Sequence, residues 1–207
     1  MKHLIIYVLI CLSAIFGFGY YSYVHSSKND NCEIKIDSIK KQEILQENSK
    51  KDLKKDLKKD LTNEVSMYIL DNSKHKDTSF VIEISEHIVN RALDNHIDIC
   101  FILAQGHLET HFGSYGIGKS RKSIFGVYKY YGSYTECIDY YINLLSRSYL
   151  VNKTEKQLME NYVNKSGYRY AGDKQYEYKL KNFYYKVNKS TSISMLQKKY
   201  KNLNTEV

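Results

Sequence analysis

Proline and tryptophan are absent from all 207 residues, whereas tyrosine occurs 21 times. With abundant lysine, asparagine and isoleucine, this is the skew that an AT-rich genome imposes. The same skew weakens any reading of the basic balance, 31 Lys+Arg against 23 Asp+Glu for a net charge of +8. A basic surface favours acidic partners such as nucleic acid, anionic lipid or anionic wall polymers. Cysteine is sparse. Cys11, Cys32, Cys100 and Cys137 show no C-x-x-C spacing, which argues against a structural zinc site. Cys100 and Cys137 fall in apolar helical patterns and read as small buried hydrophobes. The sequence leaves a bridge between them open.

Charge is missing altogether from Leu4 to Val24. The run is as long as the roughly 20 apolar residues that a membrane span needs, and Tyr20, Tyr21 and Tyr23 suit an interface. It lacks the short apolar core and small-residue cleavage site of a signal peptide. Residues 1–25 are therefore expected to be an uncleaved anchor, with secretion as the outcome if they are cleaved. Lys2 competes with Lys28 and Lys35, so charge alone does not set the orientation. Residues 26–64 are polar and highly charged. Within them KKDLKKDLKKDL, Lys50 to Leu61, puts Leu53, Leu57 and Leu61 on one helical stripe, with Asp–Lys pairs at i,i+3 and i,i+4. This predicts a charged helical stalk. It reads first as a solvated linker, with self-association through the leucines as the alternative. Three leucines are too few to define a coiled coil.

Residues 65–188 read as the globular domain and 189–207 as a polar tail with room for one short helix. Asp77, Thr78 and Ser79 offer N-caps to a helix carrying Val81, Ile84, Ile88 and Ala92 on one face. Asp98 caps the next, ICFILAQGHLETHF, which Gly113 can end in the left-handed conformation. A third helix covers Thr135 to Leu150 and a fourth Lys174 to Val187. The pattern is mainly α, with at most a small β-hairpin between Ser123 and Tyr134.

GHLETHFG, Gly106 to Gly113, sets two histidines four apart around a glutamate. Zinc metalloproteases use H-E-x-x-H on a helix; here the order is H-x-E-x-H. At about 100° per residue, His111 lies roughly 40° from His107 and Glu109 roughly 200° from it. The glutamate therefore points away from the histidine pair, and no third ligand is evident. No metal and no cofactor are expected. His107 and His111 read instead as packing histidines with hydrogen-bond partners. Glu109 stands in the last turn of a helix that is apolar almost all round. The helix dipole and the apolar surroundings both raise its pKa. Such an acid suits protonation of a glycosidic leaving oxygen, or simply a helix-end carboxylate bound to a lysine or amide.

ILAQGHLETHFG resembles the I-L-A-Q-x-x-L-E-[ST]-x-[WF]-G stretch of glycoside hydrolase family 73, the N-acetylglucosaminidases of peptidoglycan with a lysozyme-like core. Further pieces follow in the family's order. SIFGV (Ser123–Val127) is similar to N-L-F-G-I. YGSYTECIDYYINLL (Tyr131–Leu145) resembles Y-x-S-x-x-E-S-x-x-D-Y-x-x-L-L, and YAGDKQYEYKL (Tyr170–Leu180) resembles Y-A-T-D-P-x-Y-x-x-K-L. The similarity covers about Ser79 to Val187. It implies a lysozyme-like α+β core, Glu109 as general acid and Tyr170 at the catalytic cleft. It also implies Phe125, Tyr128 and Tyr131 along the cleft wall against the glycan strand, and nucleic acid is then not expected as a partner.

One departure bears on mechanism. Many relatives place a β-hairpin lobe with a second carboxylate after N-L-F-G-I, whereas here Val127 runs directly into Tyr128-Lys129-Tyr130-Tyr131. Glu136 falls on a helix position that the family does not use in catalysis. The resemblance thus implies a peptidoglycan hydrolase that cuts β-1,4 bonds next to N-acetylglucosamine, anchored in the membrane and facing the wall. Two alternatives stay open: a lytic transglycosylase using the same single glutamate, and a wall-binding module without catalysis.

Overall fold

A computed structural model describes residues 30–205, with side chains from 43 to 204. The apolar run Leu4–Val24 lies outside the described residues. Among those described, no helix is long and apolar enough to cross a membrane. The chain divides into two units, residues 1–49 and 50–207. The described part of the first is helical, with residues 43–49 exposed.

The second unit is mainly helical. Its elements are the C-terminal part of α1 (Asp30–Asn72), then α2 (Thr78–Asp94), α3 (Ile99–Thr110), α4 (Gly116–Arg121) and α5 (Tyr134–Leu144). They are followed by α6 (Glu155–Glu160), α7 (Tyr176–Ser190) and α8 (Ile193–Thr205). The short helices α4 and α6 had no counterpart in the sequence reading. Between Ser123 and Tyr134, where the sequence left room for at most a small hairpin, none forms among the described residues. That segment is a series of bends, and the one bridge among the described residues pairs Val163 with Arg169. The segment's few amides find local partners instead, such as Lys129 N–H to the Val127 carbonyl at 2.8 Å.

α3 is the central rod. Every residue from Ile99 to His107 is buried, so the helix has no polar face and needs cover on all sides. α2, α4, α7 and α8 pack on it. Capping fixes where it starts: Asp98 accepts from the Cys100 amide at 2.8 Å and from the Tyr184 hydroxyl at 2.7 Å. α2 starts as predicted, with Asp77 accepting from Phe80 N–H at 3.1 Å, and buries Val81, Ile84, Ile88 and Ala92. Asp139 of α5 pins that helix to α2, lying 2.8 Å from Arg91 Nε and 3.0 Å from His87 Nε2.

Both ends of the unit differ from the sequence picture. The leucine stripe of α1 splits: Leu53 is 48% exposed, while Leu57 and Leu61 are 8% and 0% exposed. With Val65, Tyr68 and Ile69 they belong to the core. The helix therefore enters the globular unit before residue 65, because its inward positions continue at helical spacing across that boundary. The tail is likewise docked. Gln197 of α8 accepts from Ile99 N–H at 3.0 Å and donates to the Ile97 carbonyl at 2.7 Å. Cys100 and Cys137 are buried free thiols.

Candidate active site

The site grows from the C-terminal end of α3. Gly113 does not end that helix; His111 does, at φ 48°, and Phe112 and Gly113 stay left-handed at 59° and 75°. The Phe112 amide reaches back to the Gly106 carbonyl at 2.9 Å. Thr110 ties this reversal to the following loop. Its hydroxyl donates to the Ile124 carbonyl at 2.6 Å and accepts from Gly113 N–H at 2.7 Å. The SIFGV segment is thereby held beside the last turn of α3.

Glu109 is half-buried in that turn, between Gly126 and Tyr176. Gly126 adopts φ +68°, and a Cβ there would fall on the Glu109 carboxylate, 2.9 Å from Cδ. Only glycine allows both the backbone angle and the approach. From the other side the Tyr176 hydroxyl, in the first turn of α7, donates to Glu109 Oε1 at 2.5 Å. Burial raises the Glu109 pKa, and the Tyr176 hydrogen bond opposes it without cancelling it. Burial, with the Glu109 carboxylate beside it, pushes the Tyr176 phenol well up, so it stays a donor.

The remaining wall is tyrosine. Tyr170 is half-buried and stacks on Tyr162 at 4.8 Å between ring centroids, with Tyr176 5.7 Å away. Its hydroxyl donates to the Phe125 carbonyl at 2.5 Å. Gln105, one turn before Glu109 on α3, fixes the stack from beneath. Its side-chain oxygen accepts from Tyr162 at 2.6 Å and also from Tyr141. A single turn of π-helix, Leu145–Tyr149, extends α5 and carries Tyr149 edge-on to Tyr162 and Tyr170.

Of the residues expected at the site, the structure brings Glu109 and Tyr170 to one wall. The Phe125 ring is fully buried and stacked 3.8 Å on Tyr141, and its carbonyl accepts from Tyr170. Tyr131 is 6% exposed and packed near Tyr140. Both rings are drawn inward because the segment is short and caps the core directly. Tyr128 is the exposed member, lying against Arg121. Tyr176 and Gln105 were overlooked. Tyr176 sat in the quoted YAGDKQY stretch, and Gln105 lies at i−4 from Glu109 on the same helical face.

The histidines go elsewhere. His107 Nδ1 meets the Tyr68 hydroxyl at 2.9 Å, and its ring packs on Phe183. Burial, with Lys186 and His111 nearby, lowers its pKa to about 4, so it is neutral at pH 7. His111 has left the helix, so the helical-wheel angle that separates His107 from Glu109 does not apply to it. Among the described residues no three His, Cys, Asp or Glu side chains converge as a metal-binding group. Other carboxylates are engaged. Glu136 accepts from Gly132 N–H at 2.7 Å beside the Ser133 cap of α5. Glu177 pairs with Arg169 at 2.8 Å and with the Tyr162 amide at 3.1 Å.

A half-buried acid with a raised pKa, one fixed phenol donor and an aromatic wall can deliver a proton to a leaving oxygen. No curated protein and no solved structure matches the chain. A family model described as Glucosaminidase, mannosyl-glycoprotein endo-beta-N-acetylglucosaminidase, matches residues 85–189. That span runs from within α2 to within α7 and contains Glu109, Gly126, Tyr170 and Tyr176. The chain therefore belongs to the glucosaminidase family, glycoside hydrolase family 73.

Proposed function

We propose that this chain cleaves β-1,4 glycosidic bonds next to N-acetylglucosamine in peptidoglycan, with Glu109 as the general acid. The observation that carries the reading is the setting of Glu109. Desolvation raises its pKa while Tyr176 fixes one carboxyl oxygen, leaving the other oxygen for a leaving group. Tyr170 lines the same wall, where its ring offers an apolar face to a sugar. The enzyme works outside the cytoplasm, held at the membrane by the Leu4–Val24 segment. Glu109→Gln keeps the shape and removes the acid. It is expected to abolish clearing in a peptidoglycan gel with the fold intact, and full activity in that variant would overturn the assignment.

One observation favours a second reading. Val127–Tyr131 contains no acid, so the element that carries a second carboxylate in many relatives supplies none. A lytic transglycosylase needs one glutamate, with the MurNAc 6-hydroxyl as nucleophile. Mass spectrometry of the digest separates the two: 1,6-anhydro-MurNAc ends mark the transglycosylase and new reducing ends the hydrolase. Release of either product excludes a binding module without catalysis.

A further inference from the structure

Directly after Gly126, the segment Val127–Tyr131 carries side chains to opposite sides. Lys129 turns to the Tyr131 and Tyr140 rings, 5.3 and 4.9 Å away. Tyr128 and Tyr130 turn the other way, and both rings lie on the Arg121 guanidinium, at 4.8 and 4.9 Å. The two tyrosines are 81% and 71% exposed, so they are not there to fill the core.

Arg121 is the last residue of α4 and is held at both levels. Its carbonyl accepts from Tyr131 N–H at 3.2 Å, and its guanidinium lies against two rings, contacts that suit a planar cation. Its Nε is shielded and has no acceptor. Among the described residues no carboxylate pairs with it. A guanidinium has five N–H donors in a rigid fork matched to carboxylates, so this one is pre-oriented with donors unused. Lys119 and Lys122 are exposed on either side. The ledge is near the acid: Gly126 touches Glu109, and Tyr128 lies two residues on, within about 7 Å along the chain.

We infer that the Tyr128–Arg121–Tyr130 ledge is a second binding site, which takes a carboxylate of the peptide stem that branches from the glycan strand. The inference rests on the peptidoglycan reading above. In a stem-bearing strand the lactyl carboxyl is tied up in the amide to the stem, so the anions beside the strand are the carboxylates of the peptide stems. Arg121 supplies the charge and the fork; the rings hold the fork in place and shield it from water. The site therefore discriminates stem-bearing strands from bare ones.

The test uses un-cross-linked glycan strands of matched length, free of wall polymers. One set keeps its stems; the other is stripped by an amidase and the lactyl carboxylates so freed are converted to methyl amides, so that the stripped strand carries no anion. Binding to the full chain is titrated calorimetrically in the Glu109→Gln background, so that no strand is cut. Stem-bearing strands are expected to bind about tenfold more tightly, as one charge-assisted contact implies. Arg121→Gln abolishes that preference without changing affinity for stripped strands, which also shows that the variant is folded. Arg121→Lys keeps part of it, because the charge remains and the fork does not. Equal affinity for the two strands, or a preference that survives Arg121→Gln, overturns the inference. So does tighter, Arg121-dependent binding of a soluble phosphate-bearing wall polymer, which would assign the ledge to phosphate. Failure of the glycosidase reading is seen separately, as a stem preference that persists while the unmutated chain releases no fragments.

Discussion

The Tyr176 hydroxyl donates to Glu109 Oε1 across 2.5 Å, joining the first turn of α7 to the last turn of α3. The bond favours the ionised acid, so it opposes the burial that raises the Glu109 pKa. Tyr176→Phe removes that opposition and leaves burial to act alone. A general acid works in its protonated form, and activity falls as pH rises through its pKa. The alkaline limb of the pH–rate profile is therefore expected to move to higher pH in Tyr176→Phe. At the wild-type optimum kcat should drop about tenfold, since one charge-assisted positioning contact is lost. An unmoved alkaline limb would mean that Tyr176 has no hold on the acid.

Gly126→Ala tests the other side of the carboxyl. A Cβ at φ +68° is strained by itself, costing roughly 1 kcal/mol, and here it also falls on Glu109. Gly116 is the control, because it has φ +52° and nothing within 4 Å of its Cβ position. Both alanine variants should lose similar stability from backbone strain in thermal melts, with Gly126→Ala losing more. Only Gly126→Ala should lose kcat, by about a hundredfold, as the acid is pushed off its position. Equal kinetics in the two variants would separate Gly126 from catalysis.

Much of this site could be read from the chain, and the physical reasons for the rest are specific. The glutamate was legible because a lone carboxylate in an otherwise apolar helix has to be explained. The caps Asp77 and Asp98 were legible because capping is local. The burial of Phe125 and Tyr131 was not legible, because an aromatic ring in a loop motif serves equally as wall or as core, and only the tertiary path decides. Tyr176 was missed because its partner is 67 positions away, beyond any local pattern. The end of α3 at His111 was not legible because non-glycine residues rarely take the left-handed angle; the Thr110 bond to Ile124 and a bond from the Tyr134 hydroxyl to the Gly113 carbonyl at 3.1 Å hold it there.

The buried leucines of α1 make a prediction about where the domain begins. Leu61 is 0% exposed and Leu53 is 48% exposed, on the same stripe two turns apart. Leu61→Ala should cost about 2–5 kcal/mol, the range for emptying a packed site. Leu53→Ala should cost less than about 0.5 kcal/mol. Urea denaturation of a fragment starting at residue 50 would measure both. Matching small losses would return this part of α1 to the status of a solvated stalk.

Glu109 also leaves a signature in stability. Its folded pKa is raised, so the folded state holds its proton at pH values where the unfolded chain, near 4.5, has lost it. The contribution to stability is then fully present below the unfolded value and is lost as pH rises through the folded one. Glu109→Gln has no proton to lose and escapes that decline. The variant should melt close to the unmutated chain at pH 4 and a few degrees above it, about 2–4 °C, at pH 8. A difference that is constant with pH would mean that Glu109 is not held in the desolvated setting on which the proposed role as an acid depends.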